Sequence, residues 1–133
     1  MKPSRETGLR WLLQAEHDLV VAHEHQGRGY YSDACFMAEQ SSQKALKAFL
    51  TAEGHRSIPV HSVAQLAEMC SRTDTDFSIH ISPGRILDQY YIPTRYPDAL
   101  PGTMPAGLPG KAQAEEVLGL AQKTLQIAIQ LLK

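Results

Sequence analysis

The sequence predicts an all-α protein, an up-and-down helix bundle, and three observations carry that reading. Apolar residues recur at three-and-four spacing along several long stretches; glycine and proline clusters separate those stretches; no alternating strand pattern competes with them. With 133 residues, 43% of them hydrophobic, the chain fits one domain over residues 1–133. Two independent cores of half that size would each lie near the lower limit of stability.

The first helix is expected from about Glu6 to His25, with Leu9, Leu12, Leu13, Leu19, Val20 and Ala22 forming a broad apolar stripe around Trp11. Gly27, Arg28 and Gly29 break it, and so short a turn makes its neighbour antiparallel. The second helix runs from about Ser32 to Glu53, capped by Ser32 or Asp33 and stopped by Gly54. Ala34, Met37, Ala38, Ser41, Ala45, Ala48, Phe49 and Ala52 recur along it. Most of these are small, so a partner helix can approach closely, and the helix is expected at the centre of the bundle.

A third, shorter helix is expected over about Val60 to Arg72, where Ser62 and Gln65 form a capping-box pattern. Its apolar side is Val63, Leu66, Ala67 and Cys70. Ser82 and Pro83 form an N-cap and first-turn pair for a short fourth helix carrying Ile86, Leu87 and Tyr90, which ends at Tyr91 or Ile92 because Pro93 follows. From Pro93 to Gly110 a proline stands at every fourth position as far as Pro109, and regular structure is excluded. Ile92, Tyr96, Leu100 and Met104 are the anchors expected of this stiff connection. The last helix spans about Lys111 to Leu132, striped by Ala114, Val117, Leu118, Ala121, Leu125, Ala128, Ile129 and Leu132.

Thirteen basic against fourteen acidic residues leave a net charge of −1, so no large positive field exists to hold a nucleic-acid duplex by charge alone. Cys35 and Cys70 form no CxxC pair and are expected as reduced thiols. The start, Met1 to Arg10, is polar and charged, unlike a signal peptide, and no apolar run reaches bilayer length. The expectation is a soluble, cytoplasmic protein with no membrane partner.

Chemistry concentrates between Tyr90 and Asp98. Tyr90, Tyr91, Tyr96, Arg95 and Asp98 stand among Pro93 and Pro97, which hold the backbone extended. An arginine so placed is preorganised for phosphate, and a tyrosine face stacks on a base. The competing assignment pairs Arg95 with Asp98 or a helix end and puts the tyrosines in the core. Lys44 and Lys47, one turn apart on the second helix, add positive charge; Lys44 either snorkels to solvent or faces an acid or an anionic ligand. Gln40 and Gln43 beside them can hydrogen-bond a base or ribose. The six histidines show no HxxxH spacing, so no metal site is expected, and His61 beside Ser62 reads as a helix-capping residue. No phosphate-loop, dinucleotide or hydrolase motif occurs.

Four runs together resemble the HEPN domain family. They are Ala15-Glu16-His17-Asp18-Leu19, Tyr30-Tyr31-Ser32-Asp33-Ala34-Cys35-Phe36, Gln40-Ser41-Ser42-Gln43-Lys44-Ala45-Leu46-Lys47-Ala48, and His61-Ser62-Val63-Ala64-Gln65-Leu66. A fifth, Leu87 through Asp98 with its Arg95-Tyr96-Pro97-Asp98, is similar to a run of many bacterial members. The resemblance spans nearly the whole chain. It implies four main helices plus a short extra one, often paired as a homodimer. It also implies nucleotide binding or, in a large subset, metal-independent RNA cleavage, and frequent company with a small nucleotidyltransferase, sometimes as toxin and antitoxin. The cleaving subset carries arginine, four to six residues, then histidine near the start of the last long helix. Here Gly110 to Gly119 holds neither residue type. The pattern occurs instead at Arg10 to His17 and Arg56 to His61, where roughly one chance match is expected. Arg56 and His61 are thus the sole candidates for catalysis.

The combined expectation is a nucleotide-binding bundle that is not itself an enzyme. Arg95 holds phosphate, Tyr91 or Tyr96 stacks, Lys44, Lys47 and Asp98 complete the site, and ATP or GTP is the ligand rather than a resident cofactor. The alternatives are a pure protein-interaction partner of a nucleotidyltransferase, and a ribonuclease.

Overall fold

A computed structural model describes residues 4–91 and 108–133. Within them five α-helices follow in order: α1 (Ser4–Gly27), α2 (Tyr31–Ala52), α3 (Val63–Ser71), α4 (Ile81–Asp88) and α5 (Lys111–Leu132), with a 3₁₀ segment, Thr75–His80, leading into α4. No strand occurs among the described residues. The all-α prediction holds, and α2 is the central helix, packed against α1, α3, α4 and α5.

Helix ends follow local chemistry. Gly29 and Gly54 adopt φ of +82° and +105°, a region that costs side-chain-bearing residues about 1–2 kcal/mol. Each closes a Schellman motif: Tyr30 N–H donates to His25 O (2.9 Å) and His55 N–H to Leu50 O (3.0 Å). The predicted caps of α2 need correction, because Tyr30 is the N-cap and makes no side-chain cap bond. Ser32 and Asp33 lie inside the first turn, where Asp33 still faces the positive helix end. At α3, Ser62 Oγ accepts from Gln65 N–H (3.1 Å), as the capping-box spacing predicts. The helix starts at Val63 rather than Val60.

The fourth helix departs most from its prediction. It begins at Ile81 with His80 as N-cap, not at Ser82, since the 3₁₀ turn that buries Phe77 and His80 feeds straight into it. It ends at Asp88, before Tyr91, as its last bonds tighten to Tyr90 N–H→Leu87 O (3.0 Å) and Tyr91 N–H→Asp88 O (3.3 Å). The predicted anchors Ile92, Tyr96, Leu100 and Met104 lie outside the described residues.

The core collects Leu12, Leu46, Leu66, Phe77, Leu87 and Val117, all fully buried. Each contributes about 1.5–3 kcal/mol through loss of apolar contact with water. On α1 the predicted stripe is too broad: Leu13 and Val20 are 64% and 61% exposed, while Ala15 and Asp18 are buried in their place. The small residues of α2 act as expected. A Cβ on Gly8 of α1 would sit 2.7 Å from Ala48 O, so the two backbones nearly touch, and Ser41 Oγ donates to Ala15 O (2.7 Å) across the same seam. The α3–α4 contact is equally close, a Cβ on Gly84 falling 2.7 Å from both Cα and N of Ala64. Cys35 and Cys70 are free and buried, and burial pushes both thiols up to about 12.

Candidate functional site

Because α2 is surrounded, its polar residues are buried together with its apolar ones. Glu39, Gln43 and Lys47 stand four residues apart and so share one face of the helix. Glu39 is fully buried, Gln43 is 4% exposed and Lys47 8% exposed. The Glu39 carboxyl accepts from both neighbouring amides, Gln40 Nε2 at 2.9 Å on Oε1 and Gln43 Nε2 at 2.5 Å on Oε2. An acceptor-only pattern of this kind suits the ionised carboxylate. Burial nevertheless pushes the group up to about 7, with the Asp88 carboxylate adding to the rise. The two glutamine amides and Lys47 pull the other way. Lys47 is lowered, chiefly by burial and against the attraction of Glu39. Its ammonium lies 5.9 Å from the centre of the Trp11 ring on α1, within cation–π range.

The loop before α3 brings His61 over this face. Its Nδ1 is 3.4 Å from Gln43 Oε1, and its ring lies nearly parallel to that of Tyr91, with an interplanar angle of 8° and centroids 5.8 Å apart. His61 is exposed and Tyr91 half-buried. Asp88 holds the two ring-bearing segments in register. Its carboxylate accepts from Ser62 Oγ (2.7 Å), Val63 N–H (2.5 Å) and Ala64 N–H (3.3 Å), satisfying orphan donors at the start of α3. The outcome is an open ring pair backed by a buried carboxyl, an amide and an amine.

Of the residues named from sequence, the structure brings Tyr91, Lys47, Gln43 and His61 to this region. His61 does not cap α3, since Ser62 and Asp88 do that. Lys44 has another occupation: its ammonium is 2.7 Å from Asp18 Oδ2, with Asp18 only 4% exposed, so it neutralises a buried acid between α1 and α2. This is the acid-facing alternative for Lys44, rather than the snorkel. Arg56 is exposed on the loop after α2. Arg95, Tyr96 and Asp98 lie outside the described residues. Sequence reasoning misses Glu39 and Asp88 as site residues. The available signal for Glu39 is a charge set immediately beside Ala38 in a stripe of small residues, where no solvated face remains for it. A separate groove of about 430 Å³ between the 3₁₀ segment and α5, bordered by Ile79, His80, Lys123 and Leu131, contains none of the named residues.

The fold and these contacts can be set beside known proteins. The family model of the HEPN domain matches residues 9–131. The chain belongs to the HEPN domain family. This HEPN chain is similar to TT1696 from Thermus thermophilus, at 37% identity and a TM-score of 0.76 over 92% of this chain and 96% of that one. It is similar to ST0689, an archaeal HEPN homologue, at 29% identity and a TM-score of 0.73 over the full length of both. An HEPN domain protein from Thermotoga maritima superposes at 25% identity and a TM-score of 0.72, covering 92% and 97%. No curated protein matches the chain. Among the described residues no helix is long and apolar enough to cross a membrane, and no three His, Cys, Asp or Glu side chains cluster as a metal site.

Proposed function

We propose that this HEPN protein binds a nucleotide at the face built by His61, Tyr91, Gln43 and Lys47. The observation that supports the reading most is the parallel His61–Tyr91 ring pair, with His61 exposed and Tyr91 half-buried, beside the buried Gln43 amide. A base stacks on the rings, a contact worth about 1–3 kcal/mol for an aromatic side chain. Lys47, one turn beyond Gln43 on the same face of α2, adds positive charge to the region. Arg95, four residues beyond Tyr91 in the sequence, takes the phosphate through a bidentate, charge-assisted pair. The proposal includes a homodimer that works beside a small nucleotidyltransferase, and no chemical step of its own.

Thermal unfolding with millimolar ATP and GTP is the test. Nucleotide at tenfold excess over Kd stabilises the fold by about 1.4 kcal/mol, a rise of a few degrees in Tm. Arg95→Ala is expected to abolish the rise and Tyr91→Ala to reduce it. No rise with either nucleotide, together with co-purification of a nucleotidyltransferase, would favour the pure interaction protein instead. RNA cleavage lost in His61→Ala would favour the ribonuclease.

A further inference from the structure

A side chain with no access to solvent sits at the bottom of a three-residue relay. Glu39 Oε2 receives the Gln43 amide N–H₂, which leaves Gln43 Oε1 as the atom turned toward His61 Nδ1. An amide oxygen can only accept, so the hydrogen between these two groups belongs to the imidazole. We propose that Glu39 acts through Gln43 as a positioning residue for His61, fixing the Nδ1–H tautomer. Nε2 is then presented bare, as an acceptor for an N–H or O–H of the ligand.

The geometry supplies each link. Glu39 is fully buried and its second oxygen is held by Gln40 Nε2, so the carboxylate cannot turn to release Gln43. Gln43 is 4% exposed, so water does not compete for its amide. The stack on Tyr91 limits the tilt of the His61 ring, and the Asp88 cap fixes the backbone immediately after it. The charged groups acting on Glu39 are Asp88 from α4 and Lys47 from its own helix. A histidine in free solution favours the opposite tautomer, with the proton on Nε2. The relay therefore reverses the default and selects donors: an exocyclic amine of a base or a ribose hydroxyl fits, while a carbonyl or phosphate oxygen at that point is repelled.

The inference draws on the nucleotide reading only for the identity of the ligand, and its test needs none. Long-range proton–nitrogen correlation spectra of the ¹⁵N-labelled, unliganded protein distinguish a protonated ring nitrogen from a bare one. The His61 signals are assigned by their loss in His61→Asn. Well above neutral pH, where the Glu39 carboxylate is ionised, the expected spectrum has Nδ1 protonated and Nε2 bare. Gln43→Met is expected to shift the balance toward the Nε2–H form. A wild-type spectrum with the proton on Nε2 overturns the inference whether or not that variant folds, and so does a folded Gln43→Met protein with an unaltered spectrum. Nucleotide binding without the tautomer would sink the relay alone. The tautomer without nucleotide binding would sink the ligand assignment alone.

Discussion

Replacing Glu39 with glutamine removes a buried acid while keeping its shape, and the consequence should appear as a change in how stability depends on pH. The carboxyl ordinarily titrates at 4.5, and burial raises it to about 7 in the folded chain. Between those values the folded protein keeps a proton that the unfolded chain has released. Stability therefore falls as pH rises through this window, and the loss is complete above the folded value. At about 1.4 kcal/mol per pH unit the interval corresponds to about 3 kcal/mol. Glu39→Gln has no such proton to lose. Urea unfolding followed by far-UV circular dichroism, at steps between about pH 4.5 and 8, should show the variant gaining on the wild type by about 3 kcal/mol across the range. His80, lowered by burial, gives both proteins the opposite slope and cancels in the comparison. A fixed offset still enters, since the introduced amide must reorient one of the two glutamines beside it. Two curves that stay parallel over the whole range would refute the burial argument.

Three further outcomes follow from the packing. Gly84→Ala places a methyl 2.7 Å from the backbone of α3 and should cost about 1–3 kcal/mol in the same urea assay, because neither helix can yield easily. Lys44→Met strands the 4%-exposed Asp18 and should cost about 3 kcal/mol, most of it recovered in the Asp18→Asn, Lys44→Met double variant. Cys35 and Cys70, buried with thiols near 12, should resist alkylation in the native protein and react at the rate of unfolding, as timed labelling would show.

Periodicity makes the long elements legible. The span of α5 follows from the spacing of Ala114 through Leu132, because one face meets the bundle and the other meets water; the buried face also takes in Thr124 and Ile127, while Ile129 is only partly covered. The same reasoning fails on α2, where helices on every side bury Glu39, Gln43 and Lys47 along with the alanines. A polar residue on a central helix looks like a surface residue when only local spacing is read. Leu13 and Val20 mislead in the reverse sense, apolar yet outward. The caps show a similar boundary. Ser62 with Gln65 is a local pattern and is readable, whereas Asp88 reaches α3 from 25 residues away and is visible only once the chain is folded. Tyr91 is marked by the chemistry of its segment, but its partner His61 stands 30 positions earlier, and no spacing rule joins the two.

The Asp88 carboxylate has a consequence for how the ring pair can evolve or be engineered. One side chain clasps the stretch of backbone that carries His61 while its own backbone leads within three residues to Tyr91. The two rings are thus heirs to a single fastening, and neither segment can be exchanged alone. A graft from a relative that brings a new loop before α3 must bring its own clasp as well. In return, the order needed to hold two flat surfaces parallel is established at folding, so the proposed ligand would meet a surface already set.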